Sequence, residues 1–211
     1  RRRMTTLAAT RVVLIRHGET AWNADTRIQG QLDIALNERG RWQAARMADA
    51  LADEGIEVIV SSDLQRARAT AQALADVTGL PLQLDPGLRE RRFGCFEGRT
   101  FQEVDTTWPQ EALRWRQRDP EWAPAEGGES LLVFYARCVA ASEAVLSAHA
   151  GRVVALVAHG GVLDCLYRAA TRQHLQAPRS WQLGNATVNR LLHGSEGFTL
   201  VGWNDARHLD A

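Results

Sequence analysis

The sequence predicts an α/β protein with a mainly parallel central sheet. Short apolar, β-branched runs at 12–15, 56–60 and 153–158 read as strands buried on both faces. Segments with helical apolar spacing separate them, and this alternation calls for parallel strands covered by helices. Each run also ends in polar residues: Arg16-His17-Gly18, Ser61-Ser62-Asp63 and His159-Gly160-Gly161. Ligands in such sheets bind just outside the carboxyl ends of the strands.

In chain order, the 12–15 strand leads into Gly18 to Asn23, which can open a helix. Asn37 reads as the N-cap of a second helix, whose stripe of Trp42, Ala45, Met47 and Leu51 extends to about Asp53, with Gly55 ending it. After the 56–60 strand, Asp63 is the expected cap of a helix carrying Leu64, Ala67, Ala71 and Leu74 and closed by Gly79. A short strand follows at 82–84. Residues 88–128 contain Pro109, Pro120, Pro124 and Gly127-Gly128, and read as an irregular excursion over the strand ends. A long helix from Glu129 to about Ala148, the 153–158 strand and a helix from Gly161 to about Ala170 come next. Runs at 188–192 and 198–203 flank Gly194-Ser195-Glu196-Gly197 as a terminal hairpin. One domain, 4–211, is expected, with 88–128 as a cover over the site. Arg1-Arg2-Arg3, ahead of Met4, read as a non-native extension.

Composition narrows the chemistry. The chain has 211 residues, 45% hydrophobic and 24% charged, with 25 basic and 25 acidic side chains. That balance gives no global field for nucleic acid or membrane. Every basic side chain is arginine, so Schiff-base chemistry and a P-loop lysine are excluded. Arginine instead supplies planar forks for phosphate or carboxylate. Cys95, Cys138 and Cys165 are odd in number and widely spaced, which fits neither a disulfide framework nor a zinc site. No secretory segment and no bilayer-spanning apolar run is read, so the expected compartment is the cytoplasm.

His17 and His159 each stand at a strand end. Either alone reads as readily as a satisfied structural histidine; two at neighbouring ends of one sheet point to a shared site. A neutral imidazole nitrogen can attack phosphorus, provided the other ring nitrogen is held by a backbone carbonyl. A protonated His159 can stabilise the charge on a phosphoryl oxygen. Arg66 lies in a first helical turn, where the helix dipole disfavours it, which hints at another use. Glu90, among Arg89, Arg91 and Arg92, is either a solvated acid or a proton donor to a leaving alkoxide. Trp108, Trp115 and Trp122 are read as packing the excursion onto the body, and Arg114, Arg116 and Arg118 as a solvated face.

The ordered motifs carry a resemblance. They are RHGETxWN from Arg16, QGxxDxxLNxxG from Gln29, SSDLxRAxxTA from Ser61, ExxFGxxEG from Glu90, GGES from Gly127 and VAHGG from Val157. The chain resembles the histidine phosphatase superfamily, in its phosphoglycerate-mutase-like branch, over nearly its whole length. That resemblance implies a three-layer α/β/α sandwich and chemistry with no cofactor and no metal. It implies a phosphorylated His17, a phosphate pocket completed by Arg16, Arg66 and His159, and Glu90 as proton donor and then base. Asn23, Gln29, Gly30 and the Gly160 backbone would border the substrate. The lysine typical of the mutases is absent, and Phe101 lies near its place. The expected activity is therefore that of a histidine acid phosphatase-type phosphomonoesterase on a small phosphorylated metabolite, with no nucleic-acid or membrane partner. The alternatives are a cofactor-dependent phosphoglycerate mutase and a phosphoanion-binding regulatory protein without turnover. Monomer and homodimer both remain open.

Overall fold

The structure, a computed structural model, describes residues 8–210. The Arg1-Arg2-Arg3 extension and the start at Met4 lie outside the described residues. Six strands form one sheet: β1 (Thr10–Arg16), β2 (Val58–Ser61), β3 (Leu82–Leu84), β4 (Val153–Ala158), β5 (Val188–Gly194) and β6 (Gly197–Asp205). Their order is β3-β2-β4-β1-β5-β6. The pairs β3–β2, β2–β4 and β4–β1 are parallel, whereas β5 runs antiparallel to both β1 and β6. The expected mainly parallel sheet and terminal hairpin are both present.

The chain also contains helices α1 (Ala21–Ala24), α2 (Glu38–Leu51), α3 (Gln65–Thr78), α4 (Phe101–Thr107), α5 (Pro109–Arg116), α6 (Leu131–Ala148) and α7 (Gly160–Thr171). Strand side chains alternate between two cores. Val13, Ile15, Ile59, Ala155 and Val157 pack with Met47 and Leu51 of α2 and Ala67, Ala71 and Leu74 of α3. Val12, Leu14, Val60, Val154 and Leu156 pack with Phe134, Cys138 and Leu146 of α6 and Leu163 and Leu166 of α7. Burial on both faces explains why β4 is apolar throughout. The result is the three-layer α/β/α sandwich.

The helix ends follow local chemistry. Asn37 caps α2 by accepting from the Gly40 N–H at 2.8 Å. Gly79, at φ +72°, closes α3 in the left-handed conformation. Asp63 does not cap α3, contrary to the sequence expectation. Its two oxygens accept from Arg89 Nε and Nη2, both at 2.6 Å. The Gln65 N–H donates instead to Asp33, 32 residues earlier, at 2.8 Å. The long helix begins at Leu131 under a Ser130 cap, two residues later than expected. By length and composition α6 is apolar enough to cross a membrane, contrary to the sequence expectation. Here its Phe134, Cys138 and Leu146 join the core with α7, and it forms part of one outer layer of the sandwich.

The 88–128 excursion is more regular than expected, because it contains α4 and α5. Thr100 caps α4, and Pro109 opens α5 at a position where its missing N–H costs nothing. Phe96 is fully buried, with ring centroids 5.4, 5.6 and 5.5 Å from Trp108, Trp115 and Trp122. Ile28, Val104 and Ala112 complete this satellite core, so the tryptophans pack the excursion chiefly on itself, with Ile28 as the buried residue of the body that joins them. Arg118 is not part of a solvated face. It donates to Asp164 of α7 and to the Leu175 carbonyl, whereas Arg114 and Arg116 pair with Asp119 and Asp105 at the surface. Phe96→Ala should cost about 3–5 kcal/mol, the range for truncating a buried aromatic. Limited proteolysis should then cut first within 88–128; cutting no faster than in the parent would contradict a satellite core held by Phe96.

Candidate active site

Backbone ladders continue one residue beyond the strands and set the site. The His17 N–H donates to the Ala158 carbonyl at 3.0 Å, and the Ser62 N–H to the Val157 carbonyl at 2.9 Å. His17, Ser62 and His159 are thereby held side by side at the carboxyl edge. The two imidazole centroids are 5.2 Å apart. Gly18 N–H donates to Thr70 Oγ1 at 3.0 Å, and a Cβ on Gly18 would lie 2.5 Å from the Gly40 carbonyl oxygen. Only glycine fits that close approach.

His17 Nδ1 lies 2.6 Å from the Gly18 carbonyl oxygen. A carbonyl only accepts, so Nδ1 carries the proton of the neutral ring and Nε2 keeps its lone pair. Burial pushes the His17 pKa well below the ordinary imidazole value, and the charges of Arg66 and Arg16 push it further, against the opposing Gly18 hydrogen bond. His159 Nε2 lies 2.8 Å from Ser62 Oγ, which also accepts the Leu64 N–H at 3.3 Å. Ser62 can then turn its own hydrogen to Nε2, and in that tautomer the proton of the neutral ring sits on Nδ1 as a donor. Burial, then Arg66, His17 and Arg16, hold His159 well below the ordinary value. His159 is thus neutral in the unliganded site, and the protonated form considered from sequence requires a bound anion.

Arg66 is 1% exposed, and its Nη1 and Nη2 donate to the carbonyls of Leu32 and Gly30, both at 2.7 Å. Burial lowers its pKa to about 10. Arg16 is partly exposed and donates through Nη1 to the Leu183 carbonyl. Burial lowers its pKa, with Glu90 opposing and Arg179 reinforcing the shift. Arg16 Nε, Arg66 Nε and His159 Nδ1 are buried with no hydrogen-bond partner among the described residues. Three orphaned nitrogens in one place suit an oxyanion.

Glu90 is not a solvated acid. Oε1 accepts the Arg91 N–H at 2.9 Å and Oε2 the Gly161 N–H at 3.0 Å, at the start of α7. A Cβ on Gly161 would stand 2.2 Å from Glu90 Oε1, so that glycine makes room for the carboxylate. Asn23 and Gln29 line a cavity of about 260 Å³ together with Arg16, His17, Arg66 and Glu90. Asn23 Oδ1 accepts from the Thr20 N–H and Asn185 Nδ2, and Gln29 Oε1 accepts from Thr20 Oγ1. Their amide NH₂ groups donate to no protein group among the described residues. Gly30 takes part through its carbonyl, which steers Arg66, and Gly160 lies against the Arg16 guanidinium.

Sequence reasoning passed over Ser62 as a partner of His159, and also Thr70, Leu183 and Asn185. Asn185 Nδ2 donates to the His17 carbonyl at 3.1 Å. The only signal for it was Gly184-Asn185 ahead of a strand, a pattern that ordinary turns share. Among the described residues, no cluster of three or more His, Cys, Asp or Glu is placed to hold a metal.

The chain belongs to the histidine phosphatase superfamily, branch 1, whose family model matches residues 12–206. It is an enzyme of that superfamily, phosphatase or mutase-like. It is 38% identical over 203 residues to phosphoglycerate mutase-like protein 4 of Arabidopsis thaliana, covering 94% of this chain and 86% of the relative. It is also 38% identical over 207 residues to a probable phosphoglycerate mutase, GpmB, of Yersinia pestis, covering 94% of each. Among solved structures it is similar to a mycobacterial glucosyl-3-phosphoglycerate phosphatase in complex with VO3. That match has 39% identity and a TM-score of 0.82, and covers 92% of this chain and 98% of the other.

The neutral histidines make pH a direct probe. In the folded protein they take up protons only well below the value of about 6.5 that applies in the unfolded chain. Their contribution to stability is complete above about pH 6.5 and is lost as pH falls toward the folded values. Tm should therefore drop between about pH 7 and 5, less steeply in His159→Asn. Orthovanadate binding in that range should take up protons, measured calorimetrically in buffers of different ionisation enthalpy. Binding without proton uptake would show that His159 stays neutral beside the anion.

Proposed function

We propose that the chain is a phosphomonoester hydrolase that works through a phosphohistidine on a small phosphorylated metabolite. The observation that carries this reading is the His17 geometry: Nδ1–H is fixed on the Gly18 carbonyl, and a lone pair remains on Nε2 beside Arg16 and Arg66. Nε2 attacks phosphorus, and the bond from phosphorus to the ester oxygen breaks as the N–P bond forms. Glu90, as the carboxylic acid, gives its proton to the departing alkoxide. Arg16, Arg66 and a His159 protonated on anion binding balance the phosphoryl charge. In the second half, the Glu90 carboxylate takes a proton from water as the water oxygen attacks phosphorus. The N–P bond breaks, its electron pair returns to Nε2, and phosphate and a protonated Glu90 result. These groups supply the charge and the proton transfers without a metal, so EDTA is expected to leave turnover intact.

Hydrolysis is favoured over mutase chemistry because the cavity that adjoins the buried His17 has exposed walls through which water can enter. A mutase must shield its phosphoenzyme, whereas here the cavity beside Glu90 is bordered by Phe101 and Arg116, both exposed. The names of the curated relatives keep the mutase as the second reading. Incubation with 3-phosphoglycerate and catalytic 2,3-bisphosphoglycerate separates the two: hydrolysis releases inorganic phosphate, and isomerisation without release would overturn the proposal. His17→Ala should abolish turnover and labelling by a radioactive phosphomonoester. Glu90→Gln should lower kcat by roughly 10²–10⁴-fold, the usual contribution of a positioned acid. Label recovered on a residue other than position 17 would refute the mechanism.

A further inference from the structure

Beyond the phosphate-binding cavity lies a larger one of about 690 Å³, which carries more positive charge than the phosphoryl chemistry uses. One buried carboxylate organises it. Asp164 Oδ2 accepts from Arg118 Nη2 and Arg168 Nε, both at 3.0 Å. Its Oδ1 accepts from Arg179 Nε and Trp181 Nε1, both at 3.1 Å. Arg168 is 1% exposed, stacks over Trp181 at 4.8 Å and donates through Nη1 to the carbonyls of His174 and Ala177. It neutralises Asp164 and pins the loop between α7 and β5. Arg118 and Arg179 are then in excess, so three guanidiniums on one carboxylate leave a net charge of two.

The two excess arginines differ in their free groups. Arg118 is 17% exposed at its side chain and also donates through Nε to the Leu175 carbonyl at 2.6 Å. Arg179 is 41% exposed on the cavity wall, and only its Nε is engaged. Among the described residues its Nη1 and Nη2 donate to no protein group. A guanidinium anchored at Nε and free at both Nη presents the fork that grips a carboxylate or phosphate through two parallel bonds. Arg91 lines the same cavity, and burial lowers its pKa to about 10. Arg16 and Glu90 line both cavities, so one ligand can reach from the phosphate pocket to Arg179.

We propose that Arg179, oriented by Asp164, determines specificity by holding a second anionic group on the leaving group, so that the preferred substrate is a phosphomonoester that also bears a carboxylate or another phosphate. The proposal rests on the phosphomonoester reading above. It is tested by calorimetric binding to the His17→Ala protein, in which bound esters are not consumed. Two matched pairs serve as probes: 3-phosphoglycerate against glycerol 3-phosphate, and fructose 1,6-bisphosphate against fructose 6-phosphate. The doubly anionic member of at least one pair should bind tenfold or more tightly, and the pair that responds identifies carboxylate or phosphate. Adding Arg179→Gln should collapse that ratio toward one; Asp164 keeps Arg118, Arg168 and Trp181 as partners in this variant. Equal binding within both pairs, or a ratio that survives Arg179→Gln, overturns the proposal. Phosphate release by the parent enzyme is scored separately on the same esters. Discrimination in binding with no release from any ester supports the subsite and defeats the hydrolase reading. Release without discrimination does the reverse.

Discussion

The interaction on which the site depends is the burial of Arg66, with the inner edge of Arg16, against two imidazoles. Neither guanidinium makes an ion pair within 4.0 Å among the described residues; carbonyls of Gly30, Leu32 and Leu183 solvate them instead. A buried cation without a counter-ion costs several kcal/mol, even after relaxation. That one unfavourable arrangement sets the rest of the chemistry. It adds to burial, the larger cause, in keeping His17 and His159 neutral. It also makes Glu90, at the start of α7, the carboxylate whose charge opposes the lowered pKa values of both arginines. In the proposed reaction a phosphate dianion would relieve all of these strains together, so that affinity and catalysis would draw on the same stored cost.

The scaffold holds this arrangement with sheet ladders and with side chains that bond to the loop that follows β1. His17, Ser62 and His159 are placed by continued sheet ladders, and the Arg16–Thr20 segment is fastened from outside. Glu19 N–H donates to Gln43 at 2.8 Å, and Asn37 Nδ2 to Glu19 at 3.0 Å. Thr20 caps α1 in a reciprocal box with Asn23 and also ties Gln29. Positions fixed by main-chain bonds vary little, which is what in-line attack on phosphorus requires.

These differences in construction explain what was legible in the sequence. His17 and His159 stand out because they end apolar strands, whose two-sided burial produces an unmistakable pattern. Glu90 and Arg66 were visible as residue types in odd places, but their partners were not. The carbonyls that steer Arg66 and the Gly161 N–H that receives Glu90 carry no side-chain signature. Asp63 had the right identity and position for a helix cap, yet Arg89 outcompetes the α3 N–H for its oxygens with two charge-assisted bonds. Arg118 looked like one of three alternating surface arginines. Only the return of α7 beside the excursion distinguishes it, through Asp164, 46 residues away.

The same contrast separates reaction from substrate. The phosphate end is built on strand termini and main-chain ladders, so it is rigid and readable. The larger cavity, proposed above to take the leaving group, is built where the 88–128 excursion meets the loop between α7 and β5. Side chains hold these two together: Arg118 reaches both Asp164 and Leu175, and Arg179 shares the same carboxylate. The aromatic satellite core makes the excursion a semi-independent unit, while Asp164 and Arg168 pin the loop. A substitution in either segment is therefore transmitted to the other through Asp164, and the loop also reaches His17 directly, because the Ala186 N–H donates to the His17 carbonyl at 3.1 Å and Asn185 Nδ2 to the same oxygen. The loop that carries Arg179 also steadies His17, so leaving-group preference can change without disturbing phosphoryl transfer only where the contacts of 183–186 with Arg16 and His17 are kept.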